Sequence, residues 1–224
     1  MPSKVLLTTM VLDFLFAVTG ALMVGFSVVV KGNMNKDLKN GEEIARHLVY
    51  ARWPLDASLA NGIMILMTFL LTIPGLLIPT RIWIKLGGFF VIVSAIFTLC
   101  IGVYLWVLTL ATKKDTFKIW SEQSSDAQSQ LELAFKCCGY FNSTSPAFVT
   151  NSVCTSPASA ALQPGCATPV SSFINVFSDD IFTGLFGMVG IDTVLIVAFA
   201  CLLKERKENE RYRHIDQKTG YSGF

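Results

Sequence analysis

Charge is what this chain has least of. Charged residues make up 15% of its 224 positions and hydrophobic residues 52%, where a soluble domain carries roughly 25% charged residues. So little polar side chain cannot coat a soluble fold, and the composition is that of a membrane protein. The net charge of +2 offers no electrostatic footing on nucleic acid. There is no Rossmann glycine pattern, no P-loop and no His-x-x-x-His pair, so phosphate-cradling and zinc-hydrolase chemistry lose their usual carriers. The histidines, His47 and His214, stand far apart in polar segments and form neither a metal site nor a catalytic pair. No residue set calls for a cofactor, and no catalytic step is expected.

Uninterrupted apolar sequence is what the chain has in quantity. Residues 5–30, 57–80, 86–112 and 181–203 form four such stretches. Each exceeds the roughly 20 residues that cross a hydrocarbon core as a helix. The first is longer than a signal-peptide core and contains Asp13, which favours an uncleaved signal-anchor. The expected fold is therefore an all-α four-helix membrane bundle. The polar remainder is a short N-terminus (1–4), a small loop (31–56), an inner turn (81–85), a large loop (113–180) and a charged tail (204–224).

The large loop holds Cys137, Cys138, Cys154 and Cys166, the first two inside Lys136-Cys137-Cys138-Gly139-Tyr140. Adjacent cysteines bridge each other only with strain, so each reaches a different partner. Two disulfides are expected, and four cysteines leave three pairings open. Zinc is disfavoured because a vicinal pair fits a tetrahedral site poorly. Disulfides persist outside the cytosol, so both loops face outward and both termini inward. The Lys and Arg count does not decide orientation, although their density agrees with it.

Within the large loop, Ser125 and Gln128 read as a capping box before a helix with Ala127, Leu131, Ala134 and Phe135 on one face. Thr168-Pro169 starts a second helix with a Val170, Phe173, Phe177 stripe. No breaker separates it from the fourth span. The middle, 141–164, is rich in Ser, Thr, Ala and Pro and is expected to face solvent.

Four spans, a small first outer loop and a large second one carrying Cys137-Cys138-Gly139 resemble a tetraspanin over the whole length of the chain. Asp13, Gly20-x-x-x-x-Gly25, Asp192 and Cys201 also fall at positions that the family marks. Pro74-Gly75-Leu76-Leu77, the run from Gly139 to Thr144 and Arg213-His214-Ile215-Asp216 are most similar to fungal tetraspanins required for host penetration by appressoria. The resemblance implies the pairing Cys137–Cys166 and Cys138–Cys154. It implies a plasma-membrane and endomembrane scaffold that organises other integral membrane proteins, tetraspanins and lipid, and serves polarised growth of a penetration peg. The tail would meet cytosolic trafficking or cortical proteins. There are departures. The inner turn has no cysteine, Cys100 stands where span three usually has a polar residue, and Pro164-Gly165-Cys166 replaces Pro-x-x-Cys.

Single residues add further expectations. Asn142-Ser143-Thr144 is a glycosylation sequon. Cys201, near the inner interface, is the acylation candidate, whereas Cys100 reads as a small packing residue. Tyr221-Ser-Gly-Phe224 and Tyr212-Arg-His-Ile215 match a tail sorting pattern, and a helical run over 204–213 with a solvated face would spoil the second. Ala17, Ala21 and Gly25, then Ser94, Thr98 and Gly102, and Gly184, Gly187 and Gly190 read as rows for close packing inside the bundle.

Asp13 and Asp192 lie about 13 and 18 Å above the inner edge at about 1.5 Å per residue. Thr72, Thr68, Ser94 and Thr98 fall at those heights. A polar layer is expected, with at least one acid protonated. It acts as a clamp, or it frames a cavity for a sterol or other lipid. The alternative is a proton- or cation-linked small transporter. A thiol oxidoreductase lacks its Cys-x-x-Cys, and a claudin-like adhesion protein would carry its large loop between spans one and two.

Overall fold

The computed structural model describes residues 4–34, 40–78, 80–110 and 112–219, with the backbone alone at 112–116 and 219. Among the described residues eight helices are formed: α1 Lys4–Asn33, α2 Gly41–Tyr50, α3 Leu55–Leu77, α4 Arg81–Leu110, α5 Thr112–Glu122, α6 Ser125–Phe135, α7 Pro157–Ala161 and α8 Ala167–Thr219. Helices α1, α3, α4 and α8 are long and apolar enough to cross a membrane, which makes an integral membrane protein the natural reading. The chain divides into two compact units.

The bundle unit comprises Met1–Val28, Asp56–Ile101 and Leu185–Phe224. Its helices bury residues at alternating steps of three and four, the spacing that keeps one helical face inward. On α1 these are Thr9, Asp13, Phe16, Met23 and Ser27; on α3, Asn61, Ile65, Thr68 and Thr72; on α4, Ile84, Val91, Ser94, Thr98 and Ile101; on α8, Asp192, Leu195, Phe199 and Leu202. The opposite faces carry exposed Phe14, Leu22, Met67, Leu70, Phe89 and Ile96. Apolar side chains outside and polar ones inside suit a lipid surround, not water.

Close packing uses a different glycine row from the expected one. A Cβ on Gly20 would stand 2.6 Å from Ile65 Cγ2, and one on Gly62 would stand 2.8 Å from Val24 Cγ2. That mutual approach joins α1 to α3. Ala21 and Gly25 are exposed, and Gly25, Gly184, Gly187 and Gly190 have open space around them. The in-bundle packing reading is corrected for those rows. It holds for Ser94, Thr98 and Gly102, all buried. The reason is phase: the helix turns its Asp13–Phe16–Gly20–Met23 face inward, which carries Ala17, Ala21 and Gly25 away.

The disulfide unit comprises Val29–Leu55 and Gly102–Gly184. Here the small loop supplies a helix, α2, where a polar connection was expected. Ile44, Ala45 and Val49 of α2 are buried with Trp120, Leu131, Tyr140, Val170 and Ile174 in one apolar core. Gly41 starts α2 hard against the Gln130 carbonyl, where a Cβ would collide. Beside this core Phe177 stacks on Trp53 at 5.9 Å and Phe173 meets Phe135 at 5.4 Å. The Arg46 guanidinium sits 5.7 Å over the Phe177 ring, a cation–π geometry. A second cluster joins Cys138, Cys154 and Ala160 with Phe148 and Val153, so part of 141–164 is packed.

Helix starts shift by a residue. Ser124, not Ser125, caps α6 by accepting from the Ala127 N–H, and the Gln128 amide turns to the Trp120 carbonyl at 2.9 Å. Helix α8 begins at Ala167 and runs unbroken to Thr219, through the fourth apolar stretch and most of the tail.

Candidate functional site

The Cys-Cys-Gly motif follows a forced stop. Lys136 takes a left-handed conformation, φ 49°, and the Cys137 N–H folds back to the Glu132 carbonyl at 3.2 Å. Cys137 bonds Cys166 and Cys138 bonds Cys154, the same pairing the tetraspanin resemblance implies. The two segments so joined also share backbone bonds. Cys138 N–H donates to the Pro164 carbonyl (3.0 Å), Cys166 N–H to that of Gly139 (2.9 Å) and Ala167 N–H to that of Tyr140 (2.8 Å). Gly139 is required twice over, by its φ of 69° and by the Asn142 carbonyl that a Cβ would strike.

Glu132 lies at the centre of this knot and is fully buried. Its Oε1 accepts from the Gly139 N–H at 2.9 Å and its Oε2 from the Asn151 amide at 2.8 Å. The Val149 N–H points between both oxygens at 3.3 Å. Asn151 cannot turn its amide over without loss, because its Oδ1 holds the Val153 and Cys154 N–H groups at 2.9 and 2.8 Å. Glu132 is thus acceptor to three donors and ties α6 to the motif and to Cys154. Burial pushes its carboxyl above the usual range, and the Gly139, Val149 and Asn151 donors pull it back. Burial likewise raises the Tyr140 phenol.

No family model, curated protein or solved structure matches this chain. The site must be read from its own geometry.

In the bundle unit the buried polar side chains form two separate groups. Thr72 Oγ1 stands 2.7 Å from Asp13 Oδ2 and 2.6 Å from the Phe69 carbonyl. A hydroxyl has one proton and a carbonyl only accepts, so a protonated Asp13 satisfies both contacts together. The second part is on α3, α4 and α8. Asn61 Nδ2 donates to Thr98 Oγ1 at 2.8 Å, and the Thr98 hydroxyl donates to the Ser94 carbonyl at 2.9 Å. Thr98 also lies beside the Asp192 carboxyl. Both Asp192 oxygens, Asn61 Oδ1, Ser94 Oγ and Asp13 Oδ1 are buried without a hydrogen-bond partner. Thr68 stays out of both parts and bonds the Met64 carbonyl of its own helix at 2.8 Å.

At the α3–α4 turn, Arg206 of α8 gives its Nη1 to the Ile78 carbonyl at 2.6 Å and its Nη2 to that of Leu76 at 3.2 Å. Those carbonyls end α3 and have no helical donor. Arg81 answers in the other direction, pairing with Glu210 and reaching the Lys207 carbonyl at 3.4 Å. The solvated-face reading of the run over 204–213 is therefore corrected at Arg206 and Glu210.

The remaining candidates are separate. Asn142 is exposed, and its Oδ1 accepts from the Thr144 N–H and hydroxyl at 3.0 and 2.9 Å. Cys201 and Cys100 are both exposed, which corrects the packing reading of Cys100. Tyr212 lies within α8, while Tyr221 and Phe224 fall outside the described residues. Among the described residues no His, Cys, Asp and Glu group could hold a metal.

Sequence reasoning passed over Glu132, Asn61 and Arg206. Each left a signal. Glu132 is an acid directly after a core leucine on α6, Asn61 is a lone amide early in the second apolar stretch, and Arg206 lies one turn beyond the fourth.

Proposed function

We propose that this chain is a tetraspanin-type scaffold, which holds partner integral membrane proteins laterally through a braced extracellular domain and its bundle. The observation that carries this reading is the knot at Cys137-Cys138-Gly139, locked to Cys154 and Cys166 and centred on Glu132. It braces a polar surface and offers no reactive group: its cysteines are bonded and its acid is sealed among donors. Four membrane-length helices in the same chain support a membrane setting for such a brace. In this reading both termini are cytosolic, the disulfide unit is extracellular, Asn142 takes a glycan and Cys201 an acyl chain. The setting that the sequence likeness favours is the plasma membrane of a fungal infection structure, during polarised growth or peg formation.

The test is affinity capture from native membranes in mild detergent, comparing wild type with Cys138→Ser/Cys154→Ser. A set of integral membrane proteins retained by wild type and lost by the variant supports the scaffold. The rival is a proton- or cation-linked transporter using Asp13 and Asp192. A pH-gradient-driven flux in proteoliposomes, abolished by Asp13→Asn or Asp192→Asn, would overturn the scaffold in its favour.

A further inference from the structure

The cluster around Asp192 leaves several buried oxygens without a hydrogen-bond partner. Asn61 turns its amide nitrogen to Thr98 Oγ1 and to the Met23 sulfur, and Thr98 donates its hydroxyl proton to the Ser94 carbonyl. Both Asp192 oxygens, Asn61 Oδ1 and Ser94 Oγ remain without a partner. All four side chains are fully buried. The bundle unit's cationic and imidazole side chains, Lys4, Arg81, Lys85, His214 and the Lys and Arg from Lys204 onward, lie at or beyond the ends of the apolar stretches. An ionised carboxylate without a counter-charge costs several kcal/mol in so dry a setting. A proton on Asp192 removes the charge but supplies one donor to a group of orphaned oxygens.

We propose that Asp192, with Asn61, Ser94 and Thr98, binds a sodium ion inside the bundle. The donor set selects the cation. One carboxylate balances one positive charge, which leaves the site neutral. An amide oxygen and two hydroxyls are hard oxygen donors, the kind that group-one and group-two cations take. Calcium takes six to eight oxygens and usually more than one carboxylate. Zinc and copper need the imidazole or thiolate that the cluster lacks. Because the ligands come from α3, α4 and α8, the ion ties three helices together. It accounts for orphaned oxygens that a structural clamp built from side chains alone leaves unexplained.

The test uses the purified full-length protein in detergent micelles, unfolded thermally at constant ionic strength in sodium, potassium or N-methylglucamine chloride. Sodium is expected to raise Tm saturably, with potassium needing several-fold higher concentration for the same shift and N-methylglucamine giving none. Radioactive sodium should be retained by wild type and lost in Asp192→Asn. If that variant does not fold, Ser94→Ala serves instead, and its half-saturating sodium concentration should rise several-fold. Thr193→Val keeps the wild-type response, because the Thr193 hydroxyl bonds the Val189 carbonyl of its own helix. Equal Tm in all three salts, or sodium retention undiminished in Asp192→Asn, overturns the site; the first result assigns Asp192 a proton or a water instead.

Discussion

Glu132 and Asp192 are both fully buried acids, yet the two units treat them in opposite ways. In the disulfide unit Glu132 meets three donors, two of them backbone N–H groups placed by the Cys-Cys-Gly turn. In the bundle unit Asp192 meets none of good geometry. The difference follows from backbone. A helical span consumes its own N–H groups, so a bundle has few to lend. A loop knotted by disulfides leaves N–H groups free to converge on one carboxylate. A buried acid is therefore a structural keystone where irregular backbone surrounds it, and a site in need of a cation or proton where helices do.

The comparison breaks most sharply at Glu132. Glu132→Ala orphans the Gly139 and Val149 N–H groups and the Asn151 amide, at about 1–3 kcal/mol each. A loss of at least about 3 kcal/mol is expected, read as a lower Tm of the full-length protein and faster reduction of Cys138–Cys154. Glu132→Gln is expected to cost less, though still measurably, because its new amide N–H₂ faces that of Asn151, whose flip is blocked by Val153 and Cys154.

Opening Cys138–Cys154 comes next, at roughly 3 kcal/mol for a loop of this size. Hydrogen exchange in Cys138→Ser/Cys154→Ser should rise at Val149 and Asn151 and stay unchanged in the bundle unit. Exchange rising equally in both would erase the distinction drawn between them.

In the bundle, Asp13→Leu removes the Thr72 partner and is expected to cost about 1–2 kcal/mol, while Asp13→Asn keeps a hydrogen bond and stays within about 0.5 kcal/mol of wild type. Thermal unfolding of both variants in micelles measures the gap. Arg206→Ala, which frees the Leu76 and Ile78 carbonyls, should cost about 1 kcal/mol. Arg81→Ala, which loses a partly exposed pair with Glu210, should cost about 0.5 kcal/mol or less. Amide exchange along Lys204–Thr219 should quicken more in the first.

The smallest effect is a pH slope. Burial raises the Glu132 carboxyl in the folded state, so the folded chain holds that proton more tightly than the unfolded one. The stability this group lends is full below the ordinary glutamate range and is lost as pH rises through the folded pKa. Tm of wild type relative to Glu132→Gln should therefore climb on acidification. A falling difference would show that the three donors outweigh burial.

Much of the frame was legible in the sequence. The four apolar stretches became α1, α3, α4 and α8, and the absence of a breaker after Thr168-Pro169 matched a single helix through to Thr219. Asp13, Thr68, Thr72, Ser94, Thr98 and Asp192 are all buried. The misses share one cause. Helix α2 has its apolar residues at 44, 45, 48 and 49, but only the Trp120, Leu131 and Val170 core gives that face something to cover. The glycine rows showed small residues without showing which way each helix turns them.

Hydropathy and periodicity are properties of neighbours a few positions apart, so the sequence alone could settle which segments are long and apolar enough to cross a membrane as helices. Satisfaction of a polar group depends on partners that are distant along the chain. Asn61 meets Thr98 across 37 positions, Thr72 meets Asp13 across 59, and Arg206 meets Ile78 across 128. Only the packed chain decided which of two buried acids is sealed among donors and which is left open, because that depends on how many backbone N–H groups the surrounding fold has already used.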